Sequence, residues 1–175
     1  MSDPAPSRRL SGGDVLADAL VRELLEARLV GVFATHQDGE VIHAVPMWFA
    51  LRGRSILLAT GSRSRKVRNL ESDARATLVV HDSRPGFEVC GASLAGSAEI
   101  VRGEDARPLV AYVHGRYVEE TDLPDEAREF LESDDVALRF RPESAFTWDE
   151  RGSPASAALR AAAGALPLVG TEPRP

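Results

Sequence analysis

Residues 29–51 read LVGVFATHQDGEVIHAVPMWFAL, two apolar runs at 29–36 and 41–51 around the polar interruption Gln37-Asp38-Gly39-Glu40. Asp-Gly between strand-like runs signals a hairpin, because a two-residue type I′ turn needs positive φ at both central positions. With Asp38 and Gly39 as that turn, Thr35 falls opposite Ile42 and Ala34 opposite His43. Neither run alternates cleanly. Val32, Ala34, Val41, Val45 and Met47 share one face, and Phe33, Ile42, Ala44 and Trp48 share the other. An antiparallel hairpin that is apolar on both sides needs cover on both. A closed barrel on one side and a helix or second subunit on the other would supply it. A homodimer is therefore expected.

Working outward, Asp14 is placed to cap a helix over 15–27, whose Leu16, Leu20, Val21, Leu24 and Leu25 recur on one face. After the turn Arg52-Gly53-Arg54 come a strand at 55–60, a short helix at 63–71 and a strand at 76–81. A turn at Ser83-Arg84-Pro85-Gly86 leads into a long strand at 88–101, with Gly91 and Gly96 as bulges or bends where it curls. Helices at 104–117 and 125–132 precede two short strands at 136–141 and 145–148. The pattern predicts a mainly β fold with peripheral helices, in one domain spanning 14–149. Residues 1–13 read as a flexible N-terminus. Residues 150–175, with seven alanines between Ala155 and Ala165, read as a low-complexity tail without the apolar area to offset its ordering entropy.

Composition narrows the function classes. At 175 residues with 43% hydrophobic content, the chain can bury one real core. Its first ten residues lack an apolar signal region, and no run approaches ~18 uninterrupted apolar residues. Cys90 is the sole cysteine, which excludes an internal disulfide and suits a reducing compartment. A cytoplasmic location with no membrane partner is expected. The net charge of −6 argues against nucleic acid, whose binding needs a field of cations. Yet residues 41–70 hold no Asp or Glu and carry Arg52, Arg54, Arg63, Arg65, Lys66 and Arg68. Without those six cations the rest of the chain stands at −12. Twenty of the 21 basic residues are arginine, and the one lysine, Lys66, falls inside this cluster.

Within it, Thr60-Gly61-Ser62-Arg63-Ser64-Arg65-Lys66-Val67-Arg68-Asn69-Leu70 runs from a strand end into a helix start. A helix start presents free N–H groups and partial positive charge, which suits phosphate. Cations in a first turn oppose the helix dipole by roughly 0.3–1 kcal/mol each, and a bound dianion reverses that sign. Arg65 can grip two phosphate oxygens, Lys66 adds a point charge, and the hydroxyls of Thr60, Ser62 and Ser64 can donate. The competing reading is a solvated basic face with a serine N-cap.

Four features in order resemble the pyridoxamine 5′-phosphate oxidase-like superfamily, the split-barrel flavin and deazaflavin oxidoreductases. They are Val32-Phe33-Ala34-Thr35 ending at Asp38-Gly39, Val45-Pro46-Met47-Trp48-Phe49, the Ser64-Arg65-Lys66 triplet with Asn69-Leu70, and Gly96-Ser97-Ala98-Glu99. The resemblance covers residues 15–148 and implies a split β-barrel. It places the cofactor phosphate on Arg65 and Lys66, and the strand-end hydroxyl on Thr60. Backbone contacts to the ring fall on about residues 43–48: His43, Val45, Pro46, Met47 and Trp48. It also implies a homodimer with the cofactor between subunits and a hydride transferred to or from a small-molecule substrate. The Asn69-Leu70 pair and the Arg- and Ala-rich composition look similar to the branch that uses the deazaflavin F420. F420 and FMN stand level as expected cofactors, with haem behind them, and the alternative is a non-catalytic flavin- or haem-binding protein of the same fold. The Ala/Pro/Gly tail stands where true pyridoxamine phosphate oxidases carry an Arg- and His-containing segment, so vitamin B6 oxidation is not expected.

Other candidates carry less. His36 and His43 sit diagonally on one face of the proposed hairpin at ~7–8 Å, long for a shared metal, and no carboxylate or thiolate completes a set. Cys90 reads as a buried structural thiol. His81 and His114 read as capping or packing residues. The run from Glu119 to Asp135, with nine carboxylates and only Arg128, reads as a solvated helical face and loop. No acid or base stands out for catalysis.

Overall fold

The computed structural model describes residues 7–37, 41–84, 88–119 and 123–163. Its strands are β1 (Ser7–Ser11), β2 (Gly31–His36), β3 (Ile42–Met47), β4 (Phe49–Arg52), β5 (Ser55–Thr60), β6 (Arg75–Arg84), β7 (Glu88–Val101) and β8 (Val136–Asp149). The helices are α1 (Ala19–Glu26), α2 (Arg65–Ser72), α3 (Arg107–His114), α4 (Asp125–Glu132) and α5 (Pro154–Ala163). All strands join one antiparallel sheet in the order β3-β2-β6-β7-β8-β5-β4, with β1 added along β8. The two ends of that path are consecutive in the chain, because only Trp48 separates β3 from β4. The path thus returns to its start, and the sheet curls into a split β-barrel.

Burial explains the closure. Phe33, Phe49 and Phe140 are fully buried inside, with Phe33 meeting Phe140 edge-on at 5.9 Å. The apolar face of α1 (Leu20, Val21, Leu24, Leu25) joins this same cluster. A second cluster lies across the sheet, where Leu109, Val110 and Val113 of α3 meet Ala50, Leu57 and Ala137. In β5, Ile56 and Leu58 therefore serve one core and Leu57 the other, which is why that strand reads as a continuous apolar run. Cys90 is buried as expected, and burial pushes its thiol pKa up.

The hairpin register differs from the expected one. Thr35 pairs with His43, Ala34 with Ala44 and His36 with Ile42. The Gln37 N–H donates to the Val41 carbonyl at 2.9 Å, which continues this register to the last described residues on either side. The Asp38-Gly39 turn itself lies outside the described residues. A slip of one residue exchanges faces. Val45 and Met47 thereby join Phe33 on the inner side, and His36 and His43 point to opposite faces rather than sharing one. Val32 and Ile42 remain outside and exposed.

Other boundaries shift for local reasons. The helix expected from 15 begins at Ala19, because Asp18 rather than Asp14 accepts the N–H groups of Leu20 and Val21 at 3.0 and 3.1 Å. The turn expected at 83–86 starts later, since Ser83 and Arg84 still pair with Val89 and Glu88; Pro85 and Gly86 lie outside the described residues. The two short C-terminal strands are one, β8, running through Pro142. Register shifts where Gly96 faces Pro142, leaving Glu143 as the extra residue. A Cβ on Gly96 would lie 2.0 Å from the Arg141 carbonyl oxygen, so only glycine fits this bulge. Gly91 is not a bulge; it pairs in register with Trp148, whose indole covers it.

The chain ends are also more ordered than composition suggests over the described residues. Ser7–Ser11 pairs with β8, and Arg8 reaches Asp18 at 2.8 Å. Beyond β8, Ser156 is buried and its hydroxyl donates to the Glu150 carbonyl at 2.7 Å, while Arg151 binds Glu23 and Asp149. These polar anchors hold α5, which lacks a large apolar face of its own. No helix among the described residues is long and apolar enough to cross a membrane.

Candidate functional site

Strand β5 ends at buried Thr60, and the chain turns through Gly61 to Ser64 before α2 begins. Ser64 is the N-cap residue, yet its side chain makes no capping bond. The first turn of α2 contains no acid. Val67 and Leu70 bury the inner face of α2, and buried Asn69 Nδ2 donates to Thr35 Oγ1 at 2.9 Å, which fixes the helix against β2. So held, the helix turns Lys66 back over the strand end, where its Nζ donates to Thr60 Oγ1 at 2.8 Å. Thr60 Oγ1 lies 3.4 Å from Ser64 Oγ.

Thr60 and Lys66 border a cleft of about 500 Å³. Pro46, Met47 and Trp48 line one side, and Thr60 and Lys66 another. Thus five of the ten expected site residues line one space. Val45 packs against the barrel core instead. Arg65 is exposed at the start of α2, its Nη1 3.4 Å from Gln37 Oε1. Ser62 gives its N–H and hydroxyl to the Asp135 carboxylate at 2.5 and 2.8 Å, so its hydroxyl is engaged within the protein. That carboxylate arrives from 73 residues away, which no local reading anticipates.

Electrostatics agree with the geometry. Partial burial pushes the Lys66 pKa down, opposed by the nearby Asp134 carboxylate. His43 is held below the ordinary histidine value by its desolvation, then by the charges of Arg65 and Lys66. β3 and α2 thus converge on a positive region. The bonds from Ser62 hold Asp135 below the usual carboxylate range.

The remaining wall carries no sequence signal. His114 of α3, Asp134 and two side chains of α4, Phe130 and Leu131, complete the cleft. His114 is buried with Nε2 3.0 Å from Asp134 Oδ2. Trp48 stacks on Tyr117 at 4.8 Å and meets His114 edge-on at 6.3 Å. Tyr117 Oη sits 2.6 Å from the Leu29 carbonyl and accepts the Phe49 N–H at 3.2 Å, which steadies Trp48 at the β3–β4 junction. The long acidic run therefore ends in two carboxylates with specific partners, not only in a solvated face.

The family model for pyridoxamine 5′-phosphate oxidase matches residues 17–149. The chain belongs to that family. No curated protein matches it. Similar solved structures include a conserved hypothetical protein from Mycobacterium tuberculosis, 24% identical with a TM-score of 0.64, covering 81% of this chain and 91% of that one. An F420 reductase is 24% identical with a TM-score of 0.57, over 71% and 94% of the two chains. An FAD-binding protein from Mesorhizobium loti is 17% identical with a TM-score of 0.57, over 81% and 96%. At these identities the likeness is one of fold, and it agrees with the split barrel read from the strand order. Within this pyridoxamine 5′-phosphate oxidase family member, the donor set at the cleft fits a phosphorylated ligand. A half-buried ammonium in the lining and, beside it, a helix start without acids whose N-cap side chain makes no capping bond both favour an anion.

Proposed function

We propose that this protein is an oxidoreductase that binds a phosphorylated flavin or deazaflavin, FMN or F420, and transfers a hydride to or from a small-molecule substrate. The observation that carries the reading is Lys66. The only lysine of the chain is half-buried beside Thr60, in a cleft floored by Pro46, Met47 and Trp48. Lys66 and Arg65 would hold the phosphate with Ser64, and the β3 residues His43 through Trp48 would border the ring. The bound cofactor supplies the two-electron chemistry, and the protein supplies position and electrostatics. Absorbance and fluorescence titrations with FMN, F420 and hemin test this. Saturable binding of FMN or F420, weakened by inorganic phosphate, is expected; binding of neither would end the redox reading.

The working unit is a homodimer. Val32 and Ile42 are exposed at 36% and 52% on the outer face of the β2–β3 hairpin, with Ala44 and Pro46 in the same row. Apolar side chains gathered this way favour a partner surface. Pro46 belongs both to this row and to the cleft lining, so a second copy seated here would border the cofactor. Light scattering on the purified protein should give twice the chain mass of 18.9 kDa, and Ile42→Glu should return it to monomer.

A further inference from the structure

His114 and Asp134 form a buried pair in the wall of the cleft that holds Thr60 and Lys66. The His114 side chain is 7% exposed, and its Nε2 faces the Asp134 carboxylate at 3.0 Å. A carboxylate at Nε2 keeps the ring proton there, which leaves the lone pair of the neutral ring on Nδ1. Among the described residues Nδ1 has no hydrogen-bond partner, and it is not an enclosed polar atom left without one. It retains access to open space. His114 lines both the ligand cleft and a neighbouring one of about 280 Å³ between α3 and α4, as do Leu131 and Asp134. Asp134 is itself steadied, with its N–H bonded to the Leu131 carbonyl at 3.1 Å and the following Asp135 fixed to Ser62. A ring in the cleft wall, oriented by a carboxylate at one nitrogen and without a protein partner at the other among the described residues, is an arrangement suited to proton transfer.

Resting on the redox reading above, we propose that His114, oriented by Asp134, is the proton-transfer residue of this site, acting on a neutral unsaturated acceptor such as a conjugated enone. Apart from Lys66, which is assigned to the phosphate, the cleft is walled mainly by apolar groups including Val30, Met47, Trp48 and Phe130, which favour an uncharged acceptor. In the reducing direction a bound reduced cofactor would supply a hydride to the enone β-carbon. Its C=C π pair moves toward the carbonyl as an enolate, and the Nδ1 proton of the His114 imidazolium passes to that enolate. The acceptor leaves with two more electrons and two more hydrogens, the cofactor is left oxidised, and neutral His114 regains its proton from solvent.

Nitrogen NMR on the cofactor-free protein reads the tautomer directly. In its neutral form the ring is expected to be protonated at Nε2 and bare at Nδ1, with that preference relaxed in Asp134→Asn; a neutral ring protonated at Nδ1 alone overturns the proposal. With the cofactor bound and 2-cyclohexen-1-one as acceptor, His114→Gln should keep cofactor affinity and KM within a few-fold. It should lower kcat roughly 100- to 10,000-fold. Wild-type turnover should also carry a solvent deuterium isotope effect. Equal kcat in the variant overturns the proposal, as does a cofactor-loaded wild type that reduces the enone no faster than free reduced cofactor. Failure of the wild type to bind either cofactor overturns the redox reading, and this proposal with it. The tautomer measurement needs only wild-type protein, so a misfolded variant does not shelter the idea.

Discussion

The cleft has two walls built in opposite ways. The basic wall is local: Thr60 and Lys66 line it from one short segment that runs from a strand end into a helix start, with Ser64 and Arg65 beside them outside the lining. The acidic wall is assembled, with His114 from α3 and Asp134 from the step between α4 and β8, where the adjoining Asp135 ties back to Ser62. An anion site can be written in one short segment, because a helix start brings its own N–H groups and dipole. Its counter-wall has no such local geometry and exists only once distant elements meet.

Removing the basic wall should have the largest effect. Arg65→Ala with Lys66→Ala deletes two charge-assisted contacts of about 1.5–3 kcal/mol each, so Kd for FMN or F420 should rise at least about 100-fold. Unchanged affinity in a fluorescence titration would remove the distinction between the walls. Next comes the tie between them. Asp135→Ala leaves the Ser62 N–H and hydroxyl without their acceptor. That exposed link should cost about 1 kcal/mol or less, seen as a lower urea midpoint.

A smaller and opposite effect follows at Asp134, which competes with a bound anion for Lys66. Asp134→Asn should tighten inorganic phosphate about 1.4- to 5-fold by calorimetry, the size of a weak ion pair of ~0.2–1 kcal/mol. Weaker phosphate binding would instead make Asp134 part of the anion site. The smallest signal is His43. Its folded pKa lies below the unfolded value of about 6.5, so the unfolded chain binds more protons there and this contribution to stability is lost as pH falls below that value. Phosphate at Arg65 and Lys66 cancels part of the repulsion, so the His43 pKa should rise on binding, followed by proton NMR. A fall or no change would place the anion elsewhere.

Legibility tracked locality in the fold as well. β5 and β7 occupy the spans that their apolar runs and flanking turns predict, and α4 likewise. The first helix starts at Ala19 rather than at 15 because Asp14 and Asp18 both precede apolar residues, and only the fold decides which meets free N–H groups. The hairpin pairs one residue away from the register its sequence predicts, enough to turn Val45 inward and separate His36 from His43. Ser62 looked free because its partner lies far along the chain.

By itself the sequence determined the strand-rich class, the Lys66-centred cation cluster and the apolar hairpin, because periodicity, turn chemistry and charge runs act over a few residues. Tertiary structure alone decided which face of that hairpin is inside, and that Trp48 joins the two ends of the sheet. It also brought His114 and Asp134 to the cleft. Those outcomes depend on pairings between residues tens of positions apart. Their energies come from burial and closure of the whole barrel, which no single segment encodes.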